Sequence, residues 1–110
     1  MVDGIWKQTF QKIISLIDKY SGVGASTSFI EENSLEVRIG NPPEYLVKVF
    51  IYTHPSLGTV LRTRFSRPDG EAVVKAGDEG MPMMTIDYET PEEADETLFS
   101  HLEIYLESIE

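Results

Sequence analysis

The chain contains no cysteine. Disulfides, thiolate metal sites and a cysteine nucleophile are therefore excluded, and the absence fits a reducing compartment without establishing one. Long apolar runs are missing too, since no stretch approaches the roughly 20 residues that a membrane span needs. The opening MVDGIWKQTF lacks the basic segment and apolar stretch of a signal peptide. The expectation is a cytoplasmic protein with no membrane partner. Positive charge is absent from the last third: residues 78–110 hold eleven acids and no Lys or Arg. Residues 1–77 hold all nine Lys and Arg against eight acids, so the net charge of −10 belongs to the C-terminal part. Such a field repels nucleic acid and anionic membranes, and it draws basic partners or cations. The same acids also serve simply to keep a small protein soluble.

Catalytic and metal-binding patterns are equally scarce. His54 sits in a loop beside a proline, and His101 falls on the apolar side of a predicted helix; neither has the spaced partner of a zinc site. No Gly-x-Ser-x-Gly elbow occurs. Gly22-Val23-Gly24 stands between a helix and a strand in the reverse of the phosphate-cradle order, and so reads as a helix exit. The carboxylates lie on an open helix face, without the burial that raises a general acid's pKa. No enzyme mechanism with named roles and no cofactor can be built from these residues.

What is present is enough chain for one domain over residues 1–110, with the 41% hydrophobic and 25% charged residues of an ordinary globular protein. It is organised around residues 44–65, EYLVKVFIYTHPSLGTVLRTRF, which read as two long strands joined by the loop at 54–58. Shorter strands are predicted at 25–31, 34–39, 71–76 and 83–89, separated by turn signals such as Arg67-Pro68-Asp69-Gly70.

An amphipathic helix is predicted over residues 3–20. Val2, Ile5, Trp6, Thr9, Phe10, Ile13, Leu16, Ile17 and Tyr20 share its apolar face, and Asp3 is its candidate N-cap. At the other end, Thr90-Pro91-Glu92-Glu93 offers an N-cap, a first-turn proline and a capping-box glutamate, predicting a helix over 91–109. Glu92, Glu96, Glu103, Glu107 and Glu110 fall together on its far side, and the last two oppose the helix dipole.

The fold class is α+β: a two-layer sandwich of an antiparallel meander of about six strands, with both terminal helices on one face (α-β-β-β-β-β-β-α). In order of elements it resembles the frataxin-like fold and, more loosely, the type III secretion chaperones, both small acidic α+β proteins. The resemblance is one of topology and transfers no residues: frataxin acids gather on the first helix and strand, whereas here they lie on the last helix.

Two surfaces remain. If Thr53 pairs with Thr59, then Tyr45, Val47, Val49, Ile51, Leu61 and Phe65 share the face that the helices cover. Leu46, Lys48, Phe50, Tyr52, Val60, Arg62 and Arg64 share the other. That face would expose an apolar-basic patch of the composition enriched in interface cores, unless the arginine stems cover the rings. The second surface is the acidic stripe Glu92, Glu96, Glu103 and Glu107. The reading is a non-enzymatic protein-binding module of adaptor, chaperone or inhibitor type, with a protein partner, no direct nucleic-acid binding, and room for a homodimer. A nucleic-acid mimic acting through the glutamate stripe is a variant, and a weak metal or small-ligand binder of frataxin-like topology is the alternative.

Overall fold

The computed structural model describes residues 4–40, 42–67 and 85–108. A 3₁₀ turn, Gly4–Trp6, leads into α1, Lys7–Asp18. A second 3₁₀ turn, Ser21–Val23, ends at Gly24, whose φ of +90° is the left-handed exit that glycine adopts without strain. The strands are β1 (Ser26–Glu31), β2 (Ser34–Ile39), β3 (Tyr45–His54), β4 (Gly58–Ser66) and β5 (Thr85–Tyr88). The C-terminal helix consists of α2 (Pro91–Glu93), one π-helical turn (Ala94–Leu98) and α3 (Phe99–Ser108).

The sheet is an antiparallel meander in the order β1-β2-β3-β4-β5. Among the described residues it has five strands, where the sequence predicts six. The strand predicted at 71–76 lies outside the described residues, and β4 pairs directly with β5, placing Leu61 opposite Tyr88 and Arg62 opposite Asp87. The central register is the expected one, with Thr53 opposite Thr59. Two-residue periodicity then decides which side chains meet the helices.

One hydrophobic cluster joins Trp6, Phe10, Ile13 and Ile17 to Leu98, Leu102, Tyr105 and Leu106 through Val47, Val49, Leu61 and Phe65 of the sheet. Both helices therefore cover the same face. Tyr105 locks the arrangement, stacked on Phe65 with centroids 5.3 Å apart and meeting Tyr45 edge-on at 4.7 Å. Lys12 and Asp95 bridge the helices at 3.1 Å on the exposed side, a contact that adds little to stability.

Two helix expectations are corrected. Ile5, placed by a 100° period on the core face, is 64% exposed. It belongs to a 3₁₀ turn, whose tighter winding of about 120° per residue carries it off that face. The cap expected at Asp3 lies outside the described residues, and Trp6, at the N-cap position of α1, supplies no side-chain hydrogen bond. At the C-terminal helix the cap forms: the Glu93 N–H donates to Thr90 Oγ1 at 3.3 Å. The return bond of the capping box shifts by one residue, because Glu93 Oε2 accepts from the N–H of Glu89 at 3.0 Å.

The π turn has a local cause. The Thr97 hydroxyl donates to the carbonyl of Glu93 at 2.9 Å, the acceptor that an α-helical Thr97 N–H would use. Back-bonding of this kind competes with the helix ladder and loosens the turn.

Candidate partner-binding surfaces

On the face turned away from the helices, each row of side chains runs across the sheet. One row reads Ser28, Glu36, Lys48, Arg64, Thr85, and the next reads Ser34, Phe50, Arg62, Asp87. The structure thus brings Lys48, Phe50, Tyr52, Arg62 and Arg64 together on one face, as the sequence predicts. It does not leave them equally available.

Arg62 is already engaged. Its Nε and Nη2 donate to the two carboxylate oxygens of Asp87 at 2.7 and 2.9 Å, and its guanidinium lies 3.8 Å from the centroid of the Tyr52 ring. The hydrogen bond from Arg62 holds the Asp87 carboxyl below its ordinary value, and the bond to Asp87 raises the Arg62 guanidinium in turn. Tyr52, Arg62 and Asp87 therefore form a closed stack. His54 completes the adjoining loop by accepting the N–H groups of Ser56 and Leu57 on Nδ1, at 3.0 and 3.1 Å.

Lys48 and Arg64 are different. They stand directly opposite one another, both exposed, and make no ion pair among the described residues. Like charges facing across a ladder disfavour the fold. Glu36, the neighbour of Lys48 on the other side, is bonded instead to Arg38 at 2.9 Å. Beside the two cations lies a concavity of about 650 Å³ whose lining includes Ile30, Ser34, Lys48, Phe50 and Arg64, with Glu31 and Glu32 also contributing.

The expected bare apolar-basic patch needs correcting. Leu46, Phe50, Tyr52 and Arg62 are half-buried, and Val60 is completely buried although it lies outside the cluster under the helices. The Arg62 guanidinium lies over Tyr52, and the exposed charge of this surface belongs to Lys48 and Arg64 beside the half-buried Phe50.

The acidic side chains Glu92, Glu96, Glu103 and Glu107 are all exposed, but they do not form one free stripe. Glu103 lines the seam with α1 beside Leu16, Lys19 and Tyr20, and Glu92 lines a hollow with Lys7, Lys12 and Asp95. The π turn inserts extra chain between the two halves of the helix and shifts their relative phase.

Sequence reasoning missed Asp87 as the partner of Arg62. The signal was present in the alternation of residues 85–88, but an assumed intervening strand separated it from β4. Among the described residues, no group of three or more His, Cys, Asp or Glu side chains is placed to hold a metal, and no helix is long and apolar enough to cross a membrane. Among the described residues, the buried atoms Trp6 Nε1, Tyr88 Oη and His101 Nδ1 have no hydrogen-bond partner. Burial raises the Tyr88 phenol above its ordinary value. Set against known proteins, the chain matches no family model, no curated protein and no solved structure.

Proposed function

We propose that the protein is a non-enzymatic protein-binding module whose helix-free sheet face receives a segment carrying a carboxylate next to an apolar side chain. The carrying observation is the unpaired Lys48–Arg64 couple directly across β3 and β4, set beside Phe50 in an open concavity. Two like charges facing each other, with no ion pair closed to either among the described residues, are a poor way to stabilise a ladder and a good way to receive a carboxylate. The half-exposed Phe50 ring supplies the adjacent apolar contact. Adaptor, chaperone and inhibitor roles all fit such a surface.

Selection of peptides from a random library on the immobilised protein tests this reading. The expected outcome is enrichment of Asp or Glu adjacent to a large apolar residue, lost when selection is repeated on a Lys48→Glu, Arg64→Glu double variant. Binders rich in Lys and Arg, unaffected by that variant and weakened by salt, would transfer the role to Glu96, Glu107 and the rest of the acidic helix.

A further inference from the structure

Strand β1 is an edge of the sheet, hydrogen-bonded only to β2 among the described residues. An edge strand presents a row of unpaired backbone N–H and C=O groups, and proteins ordinarily guard it with lysine, proline or inward-pointing charge. Ser26–Glu31, STSFIE, has no lysine, proline or inward-pointing charge; its guards are Glu31 at the very end and the irregular step between Phe29 and Glu31, which leave Ser26–Phe29 undefended. It also carries apolar surface on both sides. Phe29, edge-on to Phe10 at 6.1 Å on the helix side, is 48% exposed, and Ile30, on the open side, is 52% exposed.

The geometry points to β1 as the seam of a homodimer, in which β1 of one copy pairs antiparallel with β1 of a second about a two-fold axis through Ser28. The seam adjoins the concavity beside the Lys48–Arg64 couple and shares Ile30 with it, whereas Ser28 lies outside that lining.

Charge layout selects this edge and this occupant. The acids of residues 78–110 belong to the part of the chain that includes β5 and the C-terminal helix, whereas residues 1–77 are nearly balanced. Among the described residues β1 and β5 are the two outer strands, four strand spacings apart, or about 19 Å at ~4.8 Å per spacing. Pairing at β1 therefore sets the two acidic parts at opposite ends of a continuous sheet, many Debye lengths of about 8 Å apart. Pairing at β5 would press them together.

Register follows from the side chains. An axis perpendicular to the sheet requires paired residues of equal parity, which keeps the helices of both copies on one side. The axis through Ser28 sets Phe29 opposite Thr27 of the second copy and Ile30 opposite Ser26, covering both exposed apolar groups with small β-formers. Glu31 stays outside the pairing. Moving the axis to Phe29 would rely more heavily on the irregular step between Phe29 and Glu31, where β1 slips against β2. Moving it to Thr27 would leave Ile30 uncovered.

The cysteine-free chain makes the test direct, because a single introduced cysteine can react only with its own copy. Residues facing each other across an antiparallel pair have Cα atoms about 4.5–5.5 Å apart, within the range a disulfide bridges. Sedimentation equilibrium of the unmodified protein should give twice the 12.4 kDa chain mass. Under mild oxidation Ser28→Cys should form a covalent dimer and the exposed-helix control Ser100→Cys should not. Ser28→Lys, and separately Ile30→Lys, should raise the dimer dissociation constant at least tenfold (about 1.4 kcal/mol) while the circular dichroism of the folded chain is unchanged and the thermal midpoint loses its dependence on protein concentration. A protein that stays monomeric up to about 1 mM, where even a weak dimer would show, overturns the proposal. So does a dimer that survives Ser28→Lys, or one that cross-links through Ser100→Cys in preference to Ser28→Cys.

Discussion

Replacing Arg64 with glutamate should make the protein more stable while removing its proposed activity. Arg64 faces Lys48 across β3 and β4, and Thr85 lies on its other side. Arg64→Glu turns a like-charge cross-strand pair into an opposite-charge one, and such pairs are each worth about 0.2–1 kcal/mol. The sign change should therefore favour the folded state by roughly 0.5–1 kcal/mol. For a domain of this size that raises the thermal midpoint by about 2–6 °C. The substitution also makes the net charge of −10 more negative by two, a small opposing term from self-repulsion. Lys48→Glu is the internal control. Lys48 already faces Glu36 on β2, so that change repairs one pair and spoils another, and no net gain is expected. Thermal unfolding followed by circular dichroism at low and high salt measures both, and the Arg64→Glu gain should shrink as salt rises. A loss of stability in Arg64→Glu, or a gain of equal size in Lys48→Glu, would show that the two cations are held by the fold and would refute the reasoning.

Asp87→Asn should lower the thermal midpoint at neutral pH. The lowered carboxyl pKa means that the bond to Arg62 contributes fully above the ordinary aspartate value of 3.8 and is lost as pH falls through the lowered one. The gap between the native protein and Asp87→Asn in pH-dependent unfolding should accordingly close in strong acid, and a gap that widened there would contradict the assignment. Leu102→Ala removes a fully buried side chain between helix and sheet and should cost about 2–5 kcal/mol in denaturant unfolding; a cost under ~1 kcal/mol would place Leu102 outside the core. Tyr88→Phe deletes a buried hydroxyl that has no hydrogen-bond partner, so stability should hold or rise by up to about 1 kcal/mol. A clear fall would mean that Thr63 or Thr97 bonds it.

The parts of the fold that were legible in the sequence are those governed by period. Thr53 opposite Thr59 was a condition that the sequence allowed for a hairpin turning at 54–58, and once it is set every inward residue from Tyr45 to Phe65 is set with it. The C-terminal helix start was legible because Thr90 and Pro91 act locally. What escaped depends on contacts across the chain or on small changes of helical pitch. Nothing local to Arg62 announces Asp87, whose place beside β4 depends on which strand pairs there. The 3₁₀ turn that exposes Ile5 and the π turn that divides the glutamates each alter the winding of an otherwise regular pattern, and a fixed 100° projection cannot register either. Phe50 and Tyr52 were placed on the correct face, yet the cover of Tyr52 by the Arg62 guanidinium depends on rotamers that hydrophobic patterning does not encode.

The most direct test of the helix-free face as the docking surface is methyl chemical-shift mapping with a peptide selected on the protein. Ile30 and Leu46 carry accessible methyls on that face, whereas Val47, Val49 and Leu61 carry them beneath the helices. Saturating peptide should shift the methyls of Ile30 and Leu46 and leave the helix-covered set in place, with no response from Lys48→Glu, Arg64→Glu protein. Shifts confined to Val47, Val49 and Leu61, or to the C-terminal helix, would contradict the account.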